Sequence, residues 1–422
     1  MMAVARILFL AHRLPYPPNK GDKVRSYHLL RHLAERHQVH LGTFVDDPDD
    51  LQHLPTVQRW CASVHAEQLH PRLARLASLR GLATGEALTE VYYRSPRLAR
   101  WVAQTVARER IDATVVFSSS MAQYAQAHPA VPMLVDFVDV DSAKWADYAH
   151  QHPWPLSWLY AREGRMLLAC ERRVAAQGRR SFFATEKEAA LFRSLAPEVA
   201  ESVEGMDNGV DAEYFAPEPG RASPFATNEV PLVFTGAMDY WPNVDAVSWF
   251  AAAVLPQLRA VHPQLRLHIV GRSPTPAVLA LAGDAVVVTG TVPDVRPYLQ
   301  HAAAVVAPLR LARGIQNKIL EAMAMGRPVV AAETCVSAMR VVPGQDVVPA
   351  REAADYVREL LALLADAPRA SALGEAGRRC VVQGYAWPAH LQTLERHLQH
   401  TLKAQASLPL AAMAPNPAGA RA

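Results

Sequence analysis

Short, uninterrupted apolar runs separated by helical patterns constrain this 422-residue chain more than any other feature of its sequence. A strand that is apolar on both faces must be covered on both, the condition of a parallel sheet with helices on either side. The first run is Ile7–Ala11 (I-L-F-L-A). A loop through Pro15, Pro17 and Pro18 follows, then Gly21, then a helical pattern in Val24, Tyr27, His28, Leu30 and Leu33. Val39–Phe44 reads as a second strand. Ala113–Phe117, Met133–Val138, Phe182–Ala184 and Val203–Met206 continue the series. Each gives way to small or polar residues, as strands do at the crevice of a doubly wound sheet.

The alternation then starts again. Asn208-Gly-Val-Asp211 and Tyr214-Phe215 mark a sharp turn, and Pro217–Thr227 has the Pro, Ala, Gly and Ser content of a linker. Beyond it, strands are expected at Leu232–Thr235, Leu267–Val270, Ala285–Thr289, Ala304–Ala307, Pro328–Ala331 and Val347–Val348. The chain therefore divides into a Rossmann-like domain over 1–212, a linker over 213–230 and a second Rossmann-like domain over 231–384. A helix over 385–403 and a disordered Ala/Pro-rich tail over 404–422 complete it. Two such α/β domains would face each other across a cleft.

Bulk properties remove several classes. A net charge of +3 is too small to argue for nucleic acid as a partner. Cys61, Cys170, Cys335 and Cys380 form no C-x-x-C pair, which removes a sequence-local metal knuckle and fits a reducing cytoplasm. Neither G-x-G-x-x-G nor G-x-x-x-x-G-K-[ST] occurs, so a dinucleotide dehydrogenase and a P-loop are disfavoured. No stretch approaches the roughly 20 apolar residues needed to span a bilayer. Two segments, Arg72–Arg108 and Trp154–Arg173, interleave arginine with leucine or tryptophan. They read either as solvated basic helices, a pair of them in the first segment, or as surfaces that dock on an anionic membrane.

The chemistry is expected at Arg310–Pro328 (R-L-A-R-G-I-Q-N-K-I-L-E-A-M-A-M-G-R-P). Ile315, Ile319, Ala322 and Met323 recur at helical spacing, so one face of a helix ending near Gly326 is buried. Lys318 and Glu321 project together near its start. Taken alone, such a pair also fits a solvated surface. Gly314 before the helix, Arg310 and Arg313 upstream and Lys318 within it make a place for phosphate.

At this point the chain resembles a family. N-G-V-D before a linker, and G-R-P-V-V after a Lys/Glu helix, resemble the GT-B sugar transferases of the large retaining family four (group 1). R-L-P-Y-P-P-N-K-G-D-K-V-R at Arg13–Arg25, G-A-M-D-Y-W-P-N-V-D-A at Gly236–Ala246 and G-I-Q-N-K-I-L-E-A resemble a narrower subgroup. Its members are the sugar transferases of exopolysaccharide loci linked to exosortase-type (PEP-CTERM) protein sorting.

The resemblance implies a GT-B fold with the C-terminal helix packing back toward the first domain. It also implies a retaining, hexosyltransferase-like enzyme with no metal expected, while the cysteines point to the cytoplasm and the two basic segments to a peripheral place on the inner face of the plasma membrane. Such an enzyme moves a sugar from a nucleoside-diphospho-sugar to a glycan or lipid-linked acceptor, with no cofactor. Glu321 would hold the donor ribose and Lys318 its diphosphate, with Gly236, Arg310 and the loop Gly314, Ile315, Gln316 and Asn317 beside them. Gly271, Arg272, Val292 and Asp294 would border the nucleotide. Gly21 and Asp139 would lie on the acceptor side. Asp139-Val-Asp141 also imitates the D-x-D pair that chelates a metal–nucleotide in another class of sugar transferases, and Asp141-Ser142 suits helix capping.

There are departures from the family. The first glutamate of E-x7-E is Arg313 here, and the Lys-Gly after the first donor strand is Pro242-Asn243. Lys318, Arg310 and Arg313 are the cations available instead. A nucleotide-sugar epimerase of the same architecture and a non-catalytic nucleotide-sugar-binding protein are the alternatives.

Overall fold

The computed structural model describes residues 4–18, 21–311 and 315–406. The chain separates into two compact units, Met1–Met206 with Leu391–Ala422, and Asp207–His390.

The first unit is built on seven strands: β1 (Arg6–Ala11), β2 (Gln38–Val45), β3 (Ser63–Gln68), β4 (Ala113–Phe117), β5 (Met133–Val138), β6 (Arg180–Phe183) and β7 (Val203–Gly205). They lie in the order β3-β2-β1-β4-β5-β6-β7, with every neighbouring pair parallel. The apolar runs seat as expected. β1 pairs Ile7 with both Val39 and Ala113, and it is buried from Ile7 onward. The winding direction reverses between β1 and β4, which puts the unit's crevice at the carboxyl ends of those two strands.

Two expectations need correction. β3 has no uninterrupted apolar run (S-V-H-A-E-Q), because it is an edge strand that is nowhere fully buried. Its only sequence signal is the alternation of Val64 and Ala66. The arginine-rich stretch is not a pair of helices but four: Pro71–Ser78, Arg80–Thr84, Leu88–Tyr92 and Pro96–Glu109. Gly85, in the left-handed region at φ 76°, stops the second, and Ser95 caps the last by accepting from the amides of Arg97 and Leu98.

The motif G-D-K-V-R opens the helix Gly21–Ala34, and it is mainly a set of anchors. Lys23 donates to both carboxylate oxygens of Asp50 at 2.8 and 2.9 Å. Arg25 donates to Asp136 from Nε at 2.7 Å and from Nη2 at 3.0 Å, and from Nη1 to the Met206 carbonyl at 2.7 Å. Both cations are fully buried, so each has to be paired.

The second unit repeats the plan with β8 (Val230–Thr235), β9 (Leu265–Val270), β10 (Val286–Gly290), β11 (Ala304–Ala307), β12 (Val329–Ala332) and β13 (Val348–Ala350). Their order is β10-β9-β8-β11-β12-β13, again all parallel, with the reversal between β8 and β11. The C-terminal helix Trp387–Ala406 begins in this unit, and its residues from Leu391 belong to the first. There Glu395 meets His32 and His37 at 3.4 Å each, and His397 bonds Glu204 at 2.6 Å. Residues 407–422 of the expected tail lie outside the described residues.

Candidate active site

Ligands of doubly wound sheets meet the carboxyl ends of the strands where the winding reverses. In the second unit those are the ends of β8 and β11, and Gly236 and the segment beginning at Arg310 follow them. Gly236 donates its amide to the Val270 carbonyl at 3.0 Å, and Gly271 donates to the Gly290 carbonyl at 3.2 Å. The three strand ends are thereby layered tightly. Gly236 and Gly271 have φ of 153° and 155°, which side-chain-bearing residues rarely adopt. A Cβ on Gly271 would fall 1.7 Å from the Gly236 carbonyl oxygen. A Cβ on Gly236 would fall 2.9 Å from the Lys318 ammonium and 2.8 Å from the Asn243 amide nitrogen. Glycine is thus required at both positions, and the bare backbone faces a cation.

That cation comes from the helix Asn317–Ala324, shorter than the expected turn-to-Gly326 span. Ile315, Ile319, Ala322 and Met323 are buried in the unit's core, so Lys318 and Glu321 are rotated toward its polar margin. Lys318 Nζ donates to Asn243 Oδ1 at 2.6 Å and sits 4.1 Å from the centre of the Phe234 ring. Burial pushes the Lys318 ammonium down to about 7, with Glu321 and Cys335 opposing. Burial likewise pushes the Glu321 carboxyl up to about 7, against the pull of Lys318. Each group therefore changes charge near neutral pH, as groups in functional sites often do.

The other expected donor-side residues divide. Arg310 is taken up by Asp245, with Nε 3.0 Å from its carboxylate, and lies 5.5 Å over the Trp249 ring. Asp294 holds Arg296 at 2.8–3.0 Å, and Arg296 lies 4.0 Å over Tyr214. Val292 packs against the core, and the Arg272 carbonyl accepts the Met238 amide. Gln316 precedes the helix, and Asn317 opens it with a buried Oδ1 that has no hydrogen-bond partner among the described residues. Arg313 and Gly314 lie outside the described residues. Asn243, Asp245 and Phe234 were missed by sequence reasoning. Asn243 stood only as part of the Pro242-Asn243 pair that takes the family's Lys-Gly place, and nothing local revealed which side chain it would hold.

In the first unit Gly21 starts its helix, and a Cβ there would meet nothing within 4 Å. Asp139 follows β5 and accepts from Lys144 at 2.7 Å, and Lys144 also reaches Asp141 at 3.0 Å. A cation thus occupies the space between the two aspartates.

Two doubly wound units, one with a glycine-lined strand crevice facing a lysine, make the GT-B fold. Residues 229–366, which hold that crevice, match the family described as glycosyl transferases group 1. Among solved structures the chain is similar to HepE of Anabaena in complex with UDP. The two are 15% identical with a TM-score of 0.67, over 94% of this chain and 100% of that one. It is similar to sucrose-phosphate synthase from Thermosynechococcus elongatus at 17% identity and TM-score 0.69, over 95% and 100% of the chains. WaaG, a glycosyltransferase involved in lipopolysaccharide biosynthesis, is 16% identical with TM-score 0.61 over 92% and 98%. At such identities the likeness is one of fold. No curated protein matches the sequence.

Proposed function

We propose that the protein is a retaining glycosyltransferase that moves a sugar from a nucleoside-diphospho-sugar to a glycan or lipid-linked acceptor. The observation that carries this reading is the Gly236–Gly271 backbone crevice with Lys318 in front of it, inside the segment that matches the group 1 family. Breaking a glycosyl–phosphate bond builds negative charge on the leaving diphosphate, and a preorganised ammonium beside bare backbone is suited to receive it. Glu321, three residues on, is suited to the ribose hydroxyls. The sugar carbon leaves phosphate and bonds the acceptor oxygen while the leaving phosphate takes the acceptor's proton, so no pair of catalytic carboxylates is needed. The reading includes no metal, with cations and backbone amides meeting the leaving-group charge. Exopolysaccharide synthesis of the exosortase-linked type is the setting that the subgroup resemblance favours.

A thermal-shift panel of UDP-, GDP-, ADP- and TDP-sugars tests the donor. One nucleotide class is expected to raise the unfolding midpoint, by about 2–4 °C at saturations worth 1 kcal/mol in a unit of this size. Uridine is the first candidate, because HepE was solved with UDP and with UDP-glucose. No shift with any class would remove the assignment.

The reading also places the enzyme on an anionic membrane. No helix among the described residues is long and apolar enough to cross one. Leu73 and Leu76 are 64% and 66% exposed on the helix that also carries Arg72 and Arg75, and Trp154 is 80% exposed at the entrance to the helix Leu156–Gln177. The two surfaces are tied together. Arg162 donates to the carbonyls of Gly81 and Glu86, and Glu163 accepts the amides of Leu88 and Thr89 at 2.8 Å. Exposed apolar side chains beside Arg72 and Arg75 suit an interfacial surface. The protein is expected to float with anionic liposomes at low salt, and Leu73→Glu with Leu76→Glu to weaken flotation by about tenfold or more. Equal flotation of the double variant would remove this surface.

A further inference from the structure

Arg310 and Lys318, both beside the crevice, differ in whether their charge is available. Arg310 is neutralised by Asp245. Lys318 is held by an uncharged amide and makes no ion pair among the described residues. The orientation of that amide is dictated from both sides. A carbonyl can only accept and an ammonium can only donate. The Ala237 carbonyl therefore draws the Asn243 Nδ2 at 2.8 Å, which leaves Oδ1 for Lys318 at 2.6 Å. Asn243 is 5% exposed, in the first turn of the helix Trp241–Ala253, and its own amide donates to the Tyr240 carbonyl at 2.9 Å. Phe234 of β8 supports the ammonium from below at 4.1 Å. The side chain that stands in the Lys-Gly place of the resemblance is thus the one that grips a lysine from another helix.

We propose that Asn243 is the positioning residue of the diphosphate site: it fixes the Lys318 ammonium against Gly236 without neutralising it, ready for the diphosphate of a sugar nucleotide. The inference rests on the glycosyltransferase reading. A neutral holder matters because a carboxylate at that place would cancel the charge that the ligand needs. It also leaves the charge state of Lys318 to burial. Among the described residues the titratable groups acting on Lys318 are Glu321 of its own helix and Cys335 of the helix Glu333–Val336, whose thiol burial pushes up to about 11. β8 and the helix Trp241–Ala253 face it with Phe234 and Asn243, neither of which titrates. Donor affinity therefore falls as pH rises through about 7, where Lys318 loses its proton. A bound diphosphate favours the protonated form, so binding above that pH takes up a proton.

The test compares wild type, Asn243→Asp and Asn243→Leu with the sugar nucleotide that gives the largest thermal shift in the UDP, GDP, ADP and TDP panel. Asn243→Leu is expected to weaken binding by about tenfold or more through the loss of one hydrogen bond to a charged group. Asn243→Asp puts a carboxylate beside the ammonium, so the pH midpoint of binding should move upward by about one unit or more. A purely structural role would lower the unfolding temperature and the affinity but leave that midpoint in place. Without ligand, the same midpoint is read from the pH dependence of Lys318 modification by an amine-reactive ester, followed by mass spectrometry. An unmoved midpoint in folded Asn243→Asp, or wild-type binding by Asn243→Leu, overturns the proposal while the donor reading stands. Failure of wild type to bind any sugar nucleotide overturns both.

Discussion

Replacing Lys318 by alanine is expected to lower kcat/KM for the preferred sugar nucleotide by about 10²–10³, the loss typical of removing one preorganised donor at a developing oxyanion. This corresponds to about 2.7–4 kcal/mol of transition-state stabilisation. Most of the loss should fall in kcat, because charge on the leaving diphosphate grows as the glycosyl bond breaks and the ammonium gains most at that stage. The fold should tolerate the change. Lys318 is held by one hydrogen bond and one ring face, and burial already disfavours its charge. Sign and window follow from the same burial. The folded pKa of about 7 lies below the unfolded value, so the fold bears the cost of the buried charge below about pH 7, where both states are protonated. That cost is relieved as pH rises from there toward the unfolded value. The alanine variant should therefore unfold within a few degrees of wild type while its turnover collapses. A steady-state assay beside a melting curve separates the two. If Lys318 were only the solvated half of an i, i+3 pair, kcat/KM would stay within a factor of about two.

The sequence made the sheets legible because their strands are buried on both faces. β4, β5 and β11 coincide with the expected apolar runs. The same physics hid β3, since an edge strand needs no continuous apolar run and Ser63–Gln68 has none. The buried face of the helix Asn317–Ala324 was legible from its periodicity, and so was the presence of Lys318 and Glu321 on the opposite margin. Their partners were not. Asn243 lies 75 residues from Lys318 and Asp245 lies 65 residues from Arg310, and no local spacing encodes a contact between separate strand ends. This is also why two arginines and a lysine looked equivalent in sequence. Once folded, Arg310 is neutralised and Lys318 is presented. The motif G-D-K-V-R shows the reverse case, in which residues that looked chemically suggestive are mainly structural.

That motif carries the largest expected effect on stability. Asp136→Ala should destabilise the first unit by about 3–5 kcal/mol, because it leaves the Arg25 guanidinium buried without its counter-charge. Arg25 and Asp136 are each 1% exposed, and the pair is bidentate at 2.7 and 3.0 Å. The Met206 carbonyl accepts a single donor of Arg25, at 2.7 Å, and carries no charge to replace the carboxylate. Asp136 has further duties at the ends of β4 and β5. Its Oδ1 accepts the Val138 amide at 3.2 Å and its carbonyl accepts the Ser118 amide at 2.8 Å. Val138 and Ser118 have φ of 71° and 78°, which a β-branched valine in particular adopts only when held. Alanine keeps the backbone contact to Ser118 but loses the side-chain contact to Val138. Two costs therefore add, a buried cation without this carboxylate and a strained turn with one support removed. Denaturant unfolding followed by tryptophan fluorescence should register the drop. The double replacement Arg25→Met with Asp136→Leu separates them, since it removes both charges at similar volume and leaves only the turn unsupported. It should be clearly more stable than Asp136→Ala alone. If the double variant were the less stable of the two, the ion pair would be contributing net stability beyond mutual compensation, and the account of Arg25 as a cation that must be paired would be wrong.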